Sequence, residues 1–331
     1  MKKKLVLIAL GLVVVTGTLL LPVGGVASSS ANEKEKGMDL GSHPATKPSQ
    51  PQRLVFLHHS VGGQLLAEPG PNDEPAPSIH LTHPNGGGLR KALQAEGYEV
   101  NEASYGSAVG DKTDLFDWLP KFKTDMDKIL RVTFNDRMYT GGEKNRIVMF
   151  KSCYPNSRFI GMGEAPGKPE GPELTVWNAK ATLTVLLDVF RQHPDTLFVY
   201  VTAPPNAPVY GAEPVAKVLL RKVLRKPTTQ ETMASQAALA RTFNNWVKSP
   251  EGWLKDYPLK NVVAFDFFDE LTDHGASNLS RYPTGNGDDS HPSSQGQQKA
   301  AAAFVPFLNR AVHRAGLVPL GQPETSPGVA Q

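Results

Sequence analysis

The chain has 331 residues, with 35 Lys and Arg against 32 Asp and Glu and a formal charge of +3. Lys2, Lys3 and Lys4 supply that whole excess, so the remainder is neutral and carries no electrostatic footprint for nucleic acid. Cys153 is the only cysteine, which excludes an intrachain disulfide and leaves stability to an ordinary apolar core.

The three lysines precede Leu5 to Leu21, an uncharged apolar run followed by small residues up to Ala27. Residues 1–27 read as an export signal. The run also reaches the roughly 17–25 apolar residues that span a bilayer, so a cleaved signal and an uncleaved N-terminal anchor both stay open. Either way the expected location is extracytoplasmic, with membrane contact only through such an anchor. Residues 28–52, rich in Ser, Lys, Pro, Glu and Gly, read as a disordered linker. Residues 53–318 read as one folded domain and 319–331 as a disordered tail.

Within the domain, Leu54-Val55-Phe56-Leu57 is a buried strand that runs through His58-His59 to Ser60, and Gly62 to Leu66 can open a helix. Helical spacing then marks Gly88 to Glu96 and Leu119 to Val132, with an extended segment from Tyr98 to Ser104 between them. Arg146 to Phe150 is a third strand, ending at Lys151-Ser152-Cys153-Tyr154-Pro155-Asn156. A long amphipathic helix carries Val176 to Phe190 and stops at His193-Pro194. Thr196 to Thr202 and Asn261 to Phe268 are the fourth and fifth strands. A helix bearing Leu239, Phe243 and Val247 lies between them, and a final helix spans Pro292 to His313. This alternation predicts a three-layer α/β/α domain on a five-stranded parallel sheet. Long Pro- and Gly-rich connections from Glu68, Ser157, Ala203 and Leu271 each follow a strand. They are expected to wall a cleft at the edge where Ser60 sits.

A serine at the carboxyl end of a strand lies where open α/β sheets place their ligands. As a nucleophile it needs a base, and Gly287-Asp288-Asp289-Ser290-His291-Pro292 supplies one near the other end of the chain. An Asp-x-x-His turn there would set the Asp288 carboxylate against the His291 ring, fixing its tautomer. Asp289 is the competing partner. Alone, Ser60 also fits a helix cap and the late segment a polar turn.

In order, a strand then Ser60, a strand then Gly106, a strand then Asn156, and the late Asp-x-x-His resemble the SGNH/GDSL hydrolase superfamily. The resemblance implies that Ser60 is nucleophile, His291 base and Asp288 the third member of a triad. It implies an oxyanion hole built from the Ser60 amide, the Gly106 amide and the Asn156 side chain. It also implies an SGNH-hydrolase or flavodoxin-like sheet. The Gly-Asp-Ser-Leu block stands here as His58-His59-Ser60-Val61, and the Gly-x-Asn-Asp block as Tyr154-Pro155-Asn156-Ser157. Gly110 is the alternative to Gly106, and Asn206 to Asn156.

Other chemistries fit less well. His58 stands where a Gly-x-Ser-x-Gly elbow needs its first glycine. Cys153-Tyr154-Pro155-Asn156-Ser157-Arg158 has one residue too many for a sulfatase signature. Cys153 reads instead as a small buried residue at a strand end. His58 and His59, adjacent on a strand, point to opposite faces, so a zinc site joining them to His80 and His83 is not expected, nor any other cofactor. The expected activity is hydrolysis of an ester, in an acylated polysaccharide or a small molecule. The alternatives are acyl transfer by the same residues, and a carbohydrate-binding domain that retains the fold without catalysis.

Overall fold

The computed structural model describes residues 38 to 317. The export signal or anchor, residues 28–37 of the expected linker and the C-terminal tail lie outside the described residues.

The elements in chain order are β1 (Gln52–Leu57), α1 (Ser60–Leu66), β2 (Glu68–Pro69), β3 (Thr82–His83), α2 (Leu89–Ala95), β4 (Tyr98–Ala103), α3 (Trp118–Arg131), β5 (Val132–Phe134) and β6 (Arg137–Met138). There follow β7 (Ile147–Lys151), α4 (Val176–Arg191), β8 (Leu197–Val201), α5 (Val215–Val223), α6 (Thr229–Lys248) and β9 (Val262–Phe265). The chain closes with α7 (Phe267–Leu271), β10 (Pro283–Thr284), β11 (Asp289–Pro292) and α8 (Ser294–Ala315).

The central sheet has seven strands in the order β6-β5-β4-β1-β7-β8-β9. The five expected strands pair in parallel as β4-β1-β7-β8-β9. To these the structure adds β5, parallel to β4, and β6, antiparallel at the edge. The order reverses between β1 and β7, and a crevice opens at such a switch point beyond the carboxyl ends of the strands. Ser60 follows one of these two strands and Asn156 the other.

Alternation along the strands builds the two cores. Val55 and Leu57 of β1, Val148 and Phe150 of β7, and Phe198 and Tyr200 of β8 face the side covered by α3, α4 and α6. Leu54, Phe56, Ile147, Met149, Leu197 and Val199 face the side covered by α1, α2 and α8. Because both faces are covered, Leu54 to Leu57, Ile147 to Phe150 and Leu197 to Val201 are unbroken apolar runs. Each large side chain so buried contributes roughly 1.5–3 kcal/mol. On the first side Phe122, Phe150 and Phe190 pack edge to face with centroids 5.0 and 5.1 Å apart.

Several boundaries differ from expectation for local reasons. β9 stops at Phe265 because Asp266 caps α7, accepting the Asp269 amide at 3.0 Å. Pro292 ends β11 and α8 starts at Ser294. From residue 38 the expected disordered linker is laid against the body. Met38 Sδ accepts the Ala264 amide at 2.9 Å on edge strand β9, and Met38 and Leu40 pack on the core. The Ala45 and Thr46 carbonyls take bonds from Asn309 and His313 of α8. Two apolar anchors and a row of backbone acceptors offset the linker's polar composition.

Candidate active site

Ser60 is the first residue of α1, where a backbone N–H has no acceptor within its own helix. Two glycines let α1 leave β1 so abruptly. A Cβ on Gly62 would fall 2.4 Å from His58 Cβ, and one on Gly63 1.9 Å from the Ser78 carbonyl oxygen. No larger residue fits at either place without moving backbone.

Ser60 Oγ lies 2.9 Å from His291 Nε2. His291 Nδ1 lies 2.7 Å from Asp289 Oδ1, which also accepts the His291 amide at 3.0 Å. Serine, imidazole and carboxylate therefore form one chain of hydrogen bonds. The carboxylate is Asp289, which corrects the expectation for Asp288. His291 sits on extended β11, so the residue two back shares its face, whereas a partner three back needs a turn that is absent. Gly285-Asn286-Gly287, with both glycines at positive φ, makes the turn of the β10–β11 hairpin. That Asn-Gly pair is the sequence signal for a hairpin, and hence for an i, i+2 relation. Burial raises the Asp289 pKa, but the His291 amide and imidazole outweigh it and hold the carboxyl below its ordinary value.

The ring of His291 meets Tyr154 edge to face at 5.4 Å. On the other strand of the switch point, Tyr105 stacks on His59 at 4.5 Å. Arg158 lies over Tyr154 and Tyr210, with centroid distances of 5.6 and 4.3 Å, and donates from Nε to Asn206 Oδ1 at 3.1 Å. The Glu68–Gly88 connection reaches the same place. Burial, then the His80 and His291 rings, lower the His83 pKa.

Asn156 is buried in the 3-10 turn after β7. Its Oδ1 accepts the Leu115 amide at 2.8 Å and its Nδ2 donates to Asp114 Oδ1 at 2.6 Å. Asp114 thus fixes the orientation of the amide and takes one of its two protons. Asn206 Oδ1 accepts from Arg158, and its backbone carbonyl accepts the Ser280 amide. The glycines after β4 are not free donors. The Gly106 amide binds Asp111 Oδ1 at 3.0 Å and the Gly110 amide binds Ser107 Oγ at 2.8 Å. Gly106 serves the turn through its φ of 78°, a conformation costly for any residue with a Cβ.

Behind the site lie Cys153, buried as expected, and two buried groups that were not expected. Lys151, the last residue of β7, is fully buried, and its ammonium donates to the Ser152 carbonyl at 3.1 Å. Desolvation lowers its pKa to about 8, although the nearby Cys153 opposes this. Burial raises the pKa of the neighbouring Cys153 thiol, against the pull of the Lys151 ammonium. His58 is bonded to Glu102 at 3.0 Å and to the His59 carbonyl at 2.8 Å, and Arg90 holds the other Glu102 oxygen. Glu102 stands in Tyr98-Glu99-Val100-Asn101-Glu102-Ala103, a mixed segment that does not mark it as buried. Among the described residues, no three His, Cys, Asp or Glu side chains are grouped to hold a metal ion. Among them also, no helix is long and apolar enough to cross a membrane.

No protein-family model matches the chain, and no curated protein matches its sequence. Two solved structures are distantly similar. One is 12% identical, covering 78% of this chain and 96% of its own, with a TM-score of 0.37. The other is a carbohydrate esterase whose active site displays divergent catalytic and non-catalytic binding functions. It is 12% identical, covering 80% of this chain and 66% of its own, with a TM-score of 0.34.

Proposed function

We propose that this chain is a serine hydrolase acting on an ester, a divergent member of the SGNH/GDSL superfamily. The observation that carries this reading is the continuous path from Ser60 Oγ through the His291 ring to Asp289, at 2.9 and 2.7 Å. In the reaction His291 Nε2 takes the Ser60 proton as Oγ attacks the acyl carbonyl. Asp289 keeps Nδ1 protonated and stabilises the imidazolium that forms. The oxyanion is held by the Ser60 N–H, which α1 leaves without a helical partner, and by the Nδ2 proton of Asn156 that Asp114 does not take. His291 then protonates the leaving alcohol, and a water molecule repeats the cycle on the acyl-enzyme.

The aromatic rings around the triad suit an acyl group carried on a sugar, whose C–H faces stack on Tyr105 and Tyr154. We place the enzyme outside the cytoplasm on the strength of its Lys-led apolar N-terminus. A fluorophosphonate probe tests the serine directly. The labelled peptide should contain Ser60, and labelling should vanish in Ser60→Ala and in His291→Ala. A folded Ser60→Ala protein that still hydrolyses p-nitrophenyl acetate at the wild-type rate would overturn the mechanism, and an unreactive wild type would favour a binding domain. Product analysis in the presence of an alcohol acceptor separates hydrolysis from acyl transfer.

A further inference from the structure

The connection between β8 and α6 carries a helix with nothing on its outer face. α5 buries no residue, and Val215, Leu219, Leu220, Val223 and the following Leu224 are between 54% and 78% exposed. At about 100° per residue, these five side chains fall on one half of the helix surface. The opposite half is the side held to the protein. There Arg221 donates to Glu213 at 2.8 Å and to the Pro227 carbonyl at 3.2 Å, and Glu213 also accepts the Thr229 amide that opens α6. The apolar stripe therefore points away from the body, on a helix fixed by its polar side.

Its borders are basic. Lys217, Lys222, Arg225 and Lys226, besides the inward Arg221, lie within the stretch from Glu213 to Lys226, and Glu213, paired with Lys217 and Arg221, is the single acid there. Three occupants could cover the stripe, and charge decides between them. A second copy would bring two basic borders together. The chain's own Leu5 to Leu21 run is led by three lysines and adds more positive charge. An anionic bilayer answers both the apolar stripe and its cationic rim. We propose that α5 is an interfacial anchor that lies in the headgroup layer of an anionic phospholipid membrane. The same connection braces the hairpin that carries His291, through Val209 N to the Gly287 carbonyl at 2.9 Å and Ala207 N to Ser290 Oγ at 3.0 Å. Docking by α5 thus engages the segment that abuts the candidate site, whatever reaction occurs there.

The test uses the full chain with Val223→Cys labelled by an environment-sensitive fluorophore, Cys153 being buried. Its emission should shift to the blue on vesicles of phosphatidylcholine with phosphatidylglycerol, not on phosphatidylcholine alone, and high salt should reverse the shift. Lys222→Gln with Arg225→Gln should weaken this response about tenfold or more, since each basic residue near a charged surface matters by several-fold. Leu219→Glu should abolish it with an unchanged melting temperature, because the side chain is 59% exposed on the outer face. Protein that sediments with anionic vesicles while the probe stays unshifted would refute the proposal and leave the N-terminal run as the anchor. A blue shift without lipid would refute it too. A doubled mass would then identify a second copy as the occupant, and a constant mass the chain's own apolar run.

Discussion

Asp289 Oδ1 binds His291 twice, at the ring Nδ1 and at the backbone amide, with distances of 2.7 and 3.0 Å. A single oxygen thus sets both the tautomer of the imidazole and the conformation of the strand that carries it. Asp288, one residue away, makes no hydrogen bond with the ring. Asp289→Asn should lower kcat by on the order of 10³–10⁴, as loss of the orienting carboxylate does in other triads. Asp288→Asn should leave kcat near wild type. Steady-state kinetics on an activated ester, with both variants melting normally, would decide between the two carboxylates, and the reverse ranking would reassign the triad.

For the oxyanion, the side chain and the glycine should separate. Asn156→Ala should reduce kcat by about 10²–10³ with little change in KM, the usual loss for one donor. Gly106→Ala should act on the fold, lowering stability by roughly 1–2 kcal/mol because a Cβ is forced to positive φ. Its Cβ would otherwise meet only Pro77, at 3.6 Å. A Gly106→Ala enzyme with unchanged stability and kcat reduced a hundredfold would show that this loop is part of the oxyanion hole after all.

The His58–Glu102–Arg90 group is a buried pair extended by a third charge, and its value lies in being complete. Burial raises the Glu102 pKa, but the His58 and Arg90 bonds prevail and hold the carboxyl below its ordinary value. Glu102→Ala leaves Arg90 and His58 facing a gap, and should cost about 3–5 kcal/mol in urea unfolding. A loss under 1 kcal/mol would mean that water already screens the group.

His59 is 3% exposed and its Nδ1 has no partner, while Nε2 is bonded to Thr113. Burial, then the Lys151 ammonium and His58, lower its pKa to about 3. Between that value and about 6.5 the unfolded chain holds the proton and the folded one does not. Stability therefore falls as pH drops through this window, by up to about 1.4 kcal/mol per pH unit from this residue. His59→Gln should flatten the acid limb of a stability–pH curve. Parallel curves for the two proteins would assign the acid sensitivity to other groups.

Much of the scaffold could be read from the chain because doubly covered strands leave long apolar runs. Leu54 to Leu57, Arg146 to Phe150 and Thr196 to Thr202 needed no partner to be recognised. Val132 to Phe134 and Arg137–Met138 were missed, since strands of three and two residues leave no period to detect. α5 was hidden for a different reason. Its apolar stripe lies between prolines in a long connection, and its burial pattern is inverted relative to a core helix. The meeting of Ser60 with His291 could be anticipated because a strand end and a late loop converge at one edge of a parallel sheet. That of His291 with Asp289 could not, because the choice between i−2 and i−3 depends on whether the segment is a strand or a turn. Gly106 shows the limit of matching by order: a glycine held for its φ and one that lends its amide look alike in sequence.

Ser60 and His291 stand 231 residues apart in the chain. At synthesis rates of about 5–20 residues per second, roughly 10–50 s pass between the appearance of the serine and that of its histidine partner. Throughout that interval Ser60 is an unactivated alcohol. Gln297 of α8 then donates to the Val61 carbonyl at 3.2 Å, tying the last helix to the residue beside the serine. On the proposed mechanism the growing polypeptide is inert toward acyl donors, and reactivity is switched on by completion of the fold.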